Sequence, residues 1–103
     1  MRKLLTLAVL IAAVFAVPAL AATTTTHLKD DKFVKSKLTV KRGDVVKWTW
    51  KTHHKHTVTE INGKWGSKMT KNGSFKHKFR KRGKYTVYCL VHPVDMRQRI
   101  IVK

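Results

Sequence analysis

The side chains best suited to chemistry lie close together near the C-terminus of this 103-residue chain. Cys89 is the only cysteine, and His92 and Met96 follow it within the next seven positions. Thiolate and thioether sulfur are soft ligands that favour metals such as Cu(I) and Zn(II), and imidazole binds zinc, copper, iron and nickel. This combination in one short segment indicates a metal site that takes at least one further ligand from another part of the chain.

The N-terminal residues have the pattern of an export signal. Basic Arg2-Lys3 precedes an apolar run over 4–17, and Ala19-Leu20-Ala21 is a small-x-small cleavage pattern. The sequence therefore predicts a signal peptide over 1–21, cleaved near Ala21, and a protein that is exported to the periplasm, the cell surface or the medium. An uncleaved membrane anchor is the alternative, because the apolar segment over 4–22 approaches the roughly 20 residues that span a bilayer.

The predicted export also narrows the role of the cysteine. After a short threonine-rich linker over 22–26, residues 27–103 form one predicted domain. Exported domains of this size often depend on disulfides, which a single cysteine cannot form within its own chain. Cys89 is therefore an intermolecular or reactive thiol, an inert buried residue or a metal ligand. Its neighbours His92 and Met96 favour the metal ligand.

Basic residues greatly outnumber acidic ones in this chain. Its 23 lysines and arginines and five aspartates and glutamates give a formal net charge of +18. Such a charge attracts acidic proteins, anionic surfaces and polyanions. The lysines are spread along the chain, which is typical of the solvent-exposed faces of strands. We expect no specific nucleic-acid partner, since no motif that reads RNA or DNA accompanies the charge.

The region after residue 26 reads as short strands separated by turns. From Ser74 to Phe79 aromatic and basic residues alternate with a period of two. Turn signals occur at Arg42-Gly43-Asp44, Asn62-Gly63 and Arg82-Gly83, and the predicted strands are 38–40, 45–50, 56–61, 74–79, 84–89 and 99–102. The pattern predicts an all-β sandwich. Cys89 shares strand parity with Tyr85 and Val87, so its sulfur is expected to point inward.

The order of these segments resembles the small blue copper proteins, the cupredoxins, and is most similar to the plastocyanin and amicyanin group in bacteria. The resemblance extends from Phe33 to Lys103. It depends on Gly43-Asp44-Val45-Val46-Lys47-Trp48, His56-Thr57-Val58-Thr59, Gly73-Ser74-Phe75-Lys76-His77-Lys78-Phe79 and Gly83-Lys84-Tyr85-Thr86-Val87-Tyr88-Cys89-Leu90-Val91-His92-Pro93. It implies a Greek-key β-sandwich of about seven to eight strands. Thr57 stands where many relatives have asparagine.

The resemblance implies one type 1 copper site in this chain. Its strong ligands would be His56, Cys89 and His92, and its weak axial ligand would be Met96. A trigonal set of two histidines and one cysteine, with a long methionine bond, is the geometry of electron-transfer copper. His56 is chosen because of its His-Thr-Val context and because it begins a predicted strand.

Two further histidines precede His56 in a basic segment that we predict to be a loop. His53 and His54 are interpreted as solvated side chains. The alternative is a second, weaker surface site for Cu(II), Ni(II) or Zn(II), because imidazole suits all three.

The remaining candidate residues divide into structural side chains and a docking surface. Trp48 and Trp50 are expected in the core, His77 is expected on an aromatic face, and Trp65 and Met69 are expected to cover the core. The resemblance suggests that His92 is the port for electrons, inside an exposed apolar patch that consists of Leu90, Val91, Pro93 and Val94. The expected protein partner is acidic or membrane-associated, and we expect the protein itself to be a monomer.

Three functions remain open on the sequence. The leading one is an exported single-electron carrier with one copper ion. Copper buffering or delivery outside the cytoplasm is the second, and a polyanion-binding domain with a vestigial metal site is the third. Enzymatic activity is not expected, since the five carboxylates form no evident acid–base pair.

Overall fold

The computed structural model describes residues 20–103, so almost all of the predicted signal peptide over 1–21 lies outside the described residues. Within 20–103 the chain forms eight strands and no helix. No helix in this part of the chain is therefore long and apolar enough to cross a membrane. The strands are β1 (Thr23–Lys29), β2 (Lys32–Phe33), β3 (Lys37–Val40), β4 (Val45–His56), β5 (Thr59–Glu60), β6 (Thr70–Lys78), β7 (Gly83–Tyr88) and β8 (Arg97–Val102).

The strands form two four-stranded sheets that pack as a sandwich. One sheet has the order β2-β1-β4-β6 and the other has the order β3-β8-β7-β5. The pairs β1/β4 and β3/β8 are parallel, and the other pairs are antiparallel. The prediction of an all-β sandwich with seven to eight strands is confirmed.

Alternating side chains build the core between the two sheets. On β4 the inward residues are Val46, Trp48 and Trp50, which are almost completely buried. The opposite sheet contributes Gln98, whose Oε1 accepts a hydrogen bond of 2.8 Å from Nε1 of Trp48. Trp50 packs so closely on β6 that a Cβ at Gly73 would lie 2.3 Å from its ring, so only glycine fits there. Both tryptophans therefore have the core role that the sequence predicts.

The predicted linker over 22–26 is wrong. Residues 23–26 belong to β1, which pairs in parallel with β4 from Thr23 opposite Val45 to Leu28 opposite Trp50. Threonine is β-branched and fits a pleated strand, and the threonine run hides the inward alternation because its side chains are polar. Thr26 and Leu28 are nevertheless both buried. The first four residues of β1 are all threonine, so the alternation of apolar and polar residues that marks a strand is absent there.

The predicted strand over 56–61 is also placed incorrectly. His56 ends β4 instead of beginning a new strand, and only Thr59–Glu60 forms β5. The pairing of β4 with β6 changes register between Lys51 and His56, which marks a β-bulge. His53 and His54 lie in this irregular end of β4 and not in a loop. The bulge is the physical reason, because it adds residues to the strand without the regular alternation on which the prediction relied.

His77 has the structural role that the sequence predicts. Its ring stacks on Trp65, with centroids 3.8 Å apart and an angle of 13° between the planes. Burial lowers the pKa of His77, the charge of Arg80 lowers it further, and Glu60 opposes the shift. Trp65 packs against the core as expected, whereas the side chain of Met69 is exposed.

We predict that His77 makes stability depend on pH. Because its pKa is lowered on folding from about 6.5, the unfolded state takes up this proton first as the pH falls. The contribution of His77 to stability is therefore complete above about pH 6.5 and is lost as the pH falls through the interval below it. In His77→Phe, which retains an aromatic ring but does not titrate, the free energy of unfolding should fall less between pH 7.5 and pH 5.5. Equal losses in urea unfolding of the two metal-free proteins would contradict the prediction.

Candidate metal centre

The loop from Cys89 to Met96 is closed by its own backbone hydrogen bonds. The amide of Cys89 donates to the carbonyl of Met96 at 3.0 Å, and the amide of Met96 donates to the carbonyl of His92 at 3.0 Å. The amide of His92 in turn donates to the carbonyl of Cys89 at 3.2 Å. Cys89 and Met96 are fully buried at the two ends of the loop. The side chain of His92 is 30% exposed at its middle.

The end of β4 brings His56 to the same place from the other sheet. Nδ1 of His56 lies 3.7 Å from Sγ of Cys89, and both residues are fully buried. The rings of His56 and His92 have centroids 5.7 Å apart. The structure thus brings His56 against Cys89 and close to His92, and it buries Met96 at the end of the same loop. Among residues 20–103, the group of ligand atoms within 4.8 Å of one another that contains His56 and His92 has Asp31, and not Cys89, as its third member. Their assignment as metal ligands stays a prediction.

Thr57 connects the two halves of this centre. Its amide donates to Sγ of Cys89 at 3.4 Å, and its Oγ1 accepts a hydrogen bond of 3.0 Å from the amide of Leu90. Oγ1 also lies 2.9 Å from the hydroxyl of Thr59. The hydroxyl of Thr57 therefore fixes the start of the loop from Cys89 to Met96.

Two carboxylates that the sequence analysis did not single out lie against the imidazoles. Oδ1 of Asp30 is 3.3 Å from Nε2 of His56, and Oδ1 of Asp31 is 2.8 Å from Nε2 of His92. The pKa of Asp30 is held well below its usual range, mainly by the backbone amides of His53 and His54 and also by the side chain of His56. Asp30 is therefore ionised at neutral pH. The sequence did not predict the position of Asp30, because neither β1 nor β2, which flank it, was among the predicted strands.

The approach of Asp31 to His92 is close but is not a directed hydrogen bond. Nε2 of His92 is inaccessible to solvent and has no hydrogen-bond partner among residues 20–103, although Oδ1 of Asp31 is 2.8 Å away. The buried thiol of Cys89 and the buried imidazole of His56, 3.7 Å apart, lie in the same region as the thioether of Met96. These donor atoms fit a metal ion that prefers sulfur and nitrogen, as copper does.

The two other histidines of β4 lie on the surface. The side chains of His53 and His54 are 96% and 61% exposed, as the sequence predicts. Nδ1 of His53 is 3.1 Å from Asp30, and Nδ1 of His54 is 3.3 Å from Asp31. Asp30, Asp31 and His54 offer ligand atoms within 4.8 Å of one another. The alternative of a second, weaker surface chelate stays a prediction.

An exposed apolar surface surrounds His92. The exposed fractions of Leu90, Val91 and Val94 are 49%, 41% and 77%, and Pro93 is also exposed. Large exposed side chains that lie together mark interaction sites more often than singly scattered ones do. We call Leu90, Val91, Pro93 and Val94 the apolar patch.

The chain is similar in fold to solved structures of amicyanin. Amicyanin from Paracoccus versutus (Thiobacillus versutus) is 27% identical, with a TM-score of 0.62 over 84% of this chain and 85% of that chain. A proline-to-glycine variant of amicyanin in its reduced Cu(I) form at pH 4 is 26% identical, with a TM-score of 0.66 over 88% of both chains. Another such variant in its oxidised form is 23% identical, with a TM-score of 0.69 over 84% of this chain and 86% of that chain.

The comparisons define a class of protein by its fold. The chain has the cupredoxin fold, as the resemblance in the sequence implied. Among the cupredoxins, the chain is similar to amicyanin, the protein in these solved structures. No protein-family model matches the chain, and no curated protein matches it at a significant level.

We predict that the hydroxyl of Thr57 stabilises the ligand loop. Thr57→Val keeps the shape of the side chain but leaves the amide of Leu90 without its acceptor, which should cost about 1–3 kcal/mol of unfolding free energy. Thr57→Ser keeps the hydroxyl and should lose clearly less. Urea unfolding of the metal-free proteins measures both changes. Equal losses in the two variants would show that the hydrogen bond is not the reason for any effect.

Proposed function

We propose that this protein is an exported type 1 copper protein that carries single electrons between redox proteins. The observation that carries the proposal is the buried contact of Nδ1 of His56 with Sγ of Cys89 at 3.7 Å, within a cupredoxin fold. The sulfur also accepts the amide hydrogen bond of Thr57, which helps to hold it in position. A buried thiolate beside imidazoles is the environment that electron-transfer copper requires.

Four residues would hold the metal, with His56, Cys89 and His92 as strong ligands and Met96 as the weak one. Copper bound there supplies one-electron chemistry, Cu(I) to Cu(II). The protein residues exclude water from the sulfur, since Cys89, His56 and Met96 are fully buried. The hydrogen bonds within the loop and to Thr57 hold the donor atoms in one arrangement, so little rearrangement accompanies a change of charge.

The apolar patch is the proposed contact for the redox partner. It surrounds His92, the one proposed ligand with an exposed edge, so a partner docked there would lie close to the metal. Removal of residues 1–21 takes away Arg2 and Lys3, which leaves 21 basic and five acidic residues and a net charge of +16. That charge favours a partner that is acidic or associated with an anionic membrane. The electron enters from a reduced donor protein and leaves to an oxidised acceptor protein, and no substrate bond is made or broken. Such a role is that of a carrier and not of an enzyme, and it needs only one copy of the chain.

Copper buffering or delivery is the second candidate. It is favoured by the exposed His53 and His54, which lie beside the carboxylates of Asp30 and Asp31 close to the proposed copper centre. A surface chelate next to a buried site would allow the metal to be passed inward. A polyanion-binding role rests on net charge alone and is the weakest of the three.

We predict that one equivalent of Cu(II) turns the purified mature protein intensely blue. Charge transfer from the Cys89 thiolate to copper produces such a band, whereas copper bound by histidines alone does not. Cys89→Ser should therefore remain nearly colourless. The matched control is the double variant His53→Ala, His54→Ala, which should keep the band. A colourless wild-type protein would contradict the proposal.

Electrochemistry separates the two copper functions. A reversible one-electron wave and rapid electron exchange with a redox protein would support the carrier. Unusually tight Cu(I) binding followed by transfer of the metal to an acceptor protein would instead support delivery.

We also propose that export ends with cleavage after Ala21. The amide of Ala22 donates to Oδ1 of Asp44 at 3.1 Å, and the carbonyl of Ala22 accepts the amide of Val45 at 2.9 Å. A chain that begins at Ala22 keeps both contacts and places its new ammonium group beside a carboxylate. The amides of Lys41 and Ala22 already lower the pKa of Asp44, so that carboxylate is ionised.

We predict that the protein recovered from outside the cytoplasm begins at Ala22. Intact mass spectrometry distinguishes this product from one that begins at Thr23, which would lack the contacts of Ala22 with Asp44 and Val45. A protein that keeps residues 1–21 and sediments with membranes would instead support the uncleaved anchor.

A further inference from the structure

The turn between β1 and β2 holds two adjacent carboxylates, Asp30 and Asp31, in fixed positions. The hairpin pairs Lys29 with Lys32, and the buried Leu28 with the buried Phe33, so the core anchors both sides of the turn. Asp31 has a φ of 65° and is the only residue other than glycine with a positive φ among residues 20–103. Aspartate and asparagine tolerate this left-handed conformation better than most residues.

The β-bulge of β4 fixes the first of these carboxylates. Where the β4–β6 ladder is interrupted, the amides of His53 and His54 donate to Asp30 at distances of 2.9–3.1 Å. The carboxylate thus replaces strand pairing for two backbone groups. This arrangement holds Asp30 against the end of the strand that carries His56.

Asp30 and Cys89 contact opposite nitrogens of His56. Nε2 faces Oδ1 of Asp30 at 3.3 Å, while Nδ1 faces Sγ of Cys89 at 3.7 Å. An ionised carboxylate can only accept a hydrogen bond, so the proton of the neutral ring belongs on Nε2. The lone pair of Nδ1 is then directed at the sulfur, where a metal would be bound.

Asp31 also lies against the Nε2 atom of a histidine, His92, but without a directed hydrogen bond. Its Oδ1 lies 2.8 Å from Nε2 of His92, at which distance two lone pairs would repel each other. A proton on Nε2 relieves that repulsion and leaves Nδ1 as the free donor atom of the ring. The two neighbouring carboxylates therefore lie against the outer nitrogens of both histidines.

We propose that Asp30 and Asp31 are positioning residues that hold His56 and His92 in the metal-binding tautomer and favour Cu(II) over Cu(I). The inference rests on the proposed copper site. Carboxylates next to ligand imidazoles fix the tautomer and ring orientation and increase the basicity of the ligand. Two negative charges near the site also stabilise the more highly charged copper ion. The pair therefore lowers the reduction potential.

The test compares Asp30→Asn, Asp31→Asn and the double variant with Asp95→Asn. Asparagine keeps an oxygen acceptor and tolerates the positive φ at position 31, so the turn should remain intact. Asp95 precedes Met96 in the ligand loop, and its side chain has no hydrogen bond or ion pair with residues 20–103. Its replacement removes one nearby charge without removing a contact to either imidazole.

The double variant should bind Cu(II) about 10- to 100-fold more weakly, which is the usual effect of losing the partners of metal ligands. Its Cu(I) affinity should change much less. For a one-electron couple, each tenfold excess of the loss in Cu(II) affinity over the loss in Cu(I) affinity raises the reduction potential by about 59 mV. The reduction potential of the double variant should rise by more than that of Asp95→Asn. Potential shifts no larger than in this control would overturn the proposal.

A measurement on the metal-free protein tests the positioning role separately. Imidazole ¹⁵N shifts at a fixed alkaline pH should show protonated Nε2 atoms in His56 and His92 of the wild type and mixed tautomers in the double variant. Unchanged tautomers would overturn the proposal whether or not the wild type turns blue. A colourless wild type would end the copper function, but a tautomer change would still support the positioning role. A purely structural role would lower the unfolding free energy and leave the tautomers unchanged.

Discussion

The contact between His56 and Cys89 joins the two sheets at the end of the sandwich where all the candidate chemistry lies. His56 ends β4 in one sheet, and Cys89 follows β7 in the other, so the 3.7 Å between Nδ1 and Sγ spans the layers. The amide of Thr57 donates to the same sulfur, and its hydroxyl holds the first residue of the ligand loop. Because these polar groups are buried, their arrangement is narrowly constrained. A bound metal would draw the same atoms together and would add its binding energy to folding.

The interior behind this contact explains why the arrangement can be held. Trp48 crosses from β4 to hydrogen-bond with Gln98 on β8, and its ring packs against Trp65, Phe75 and Phe79. Large rings with few rotatable bonds fill the sandwich at low entropic cost, so the strands have little freedom to slide. A register slip of one residue would turn His56 from the interior to the surface. The aromatic core therefore fixes which histidine of β4 faces the sulfur.

The sequence predicted those parts of the structure that depend on local alternation. The inward direction of Cys89 followed from its parity with Val87, and the ligand loop followed from residue types within eight positions. The proximity of His56 to the loop came from resemblance alone, since 33 positions separate it from Cys89. The threonine run of β1 and the bulge of β4 have no clear alternation, and both were misplaced. The Asp30–Asp31 turn was missed as a consequence, because its importance depends on contacts with residues 23 or more positions away.

The positions of the acidic residues suggest that different surfaces attract the proposed redox partner over long range and make the final contact with it. Asp44 and Glu60 accept backbone hydrogen bonds in turns, which gives them structural roles. Asp30 and Asp31 lie at the candidate metal centre, and Asp95 belongs to the loop from Cys89 to Met96. Asp31 and Asp95 thus lie beside the loop that carries the apolar patch, while lysines occur in strands of both sheets. Long-range attraction of an acidic partner would come from the sheet faces, because the field of the whole protein governs diffusional encounter. The final contact would be made by the apolar patch, where local repulsion from a partner's carboxylates favours an apolar surface on the partner as well.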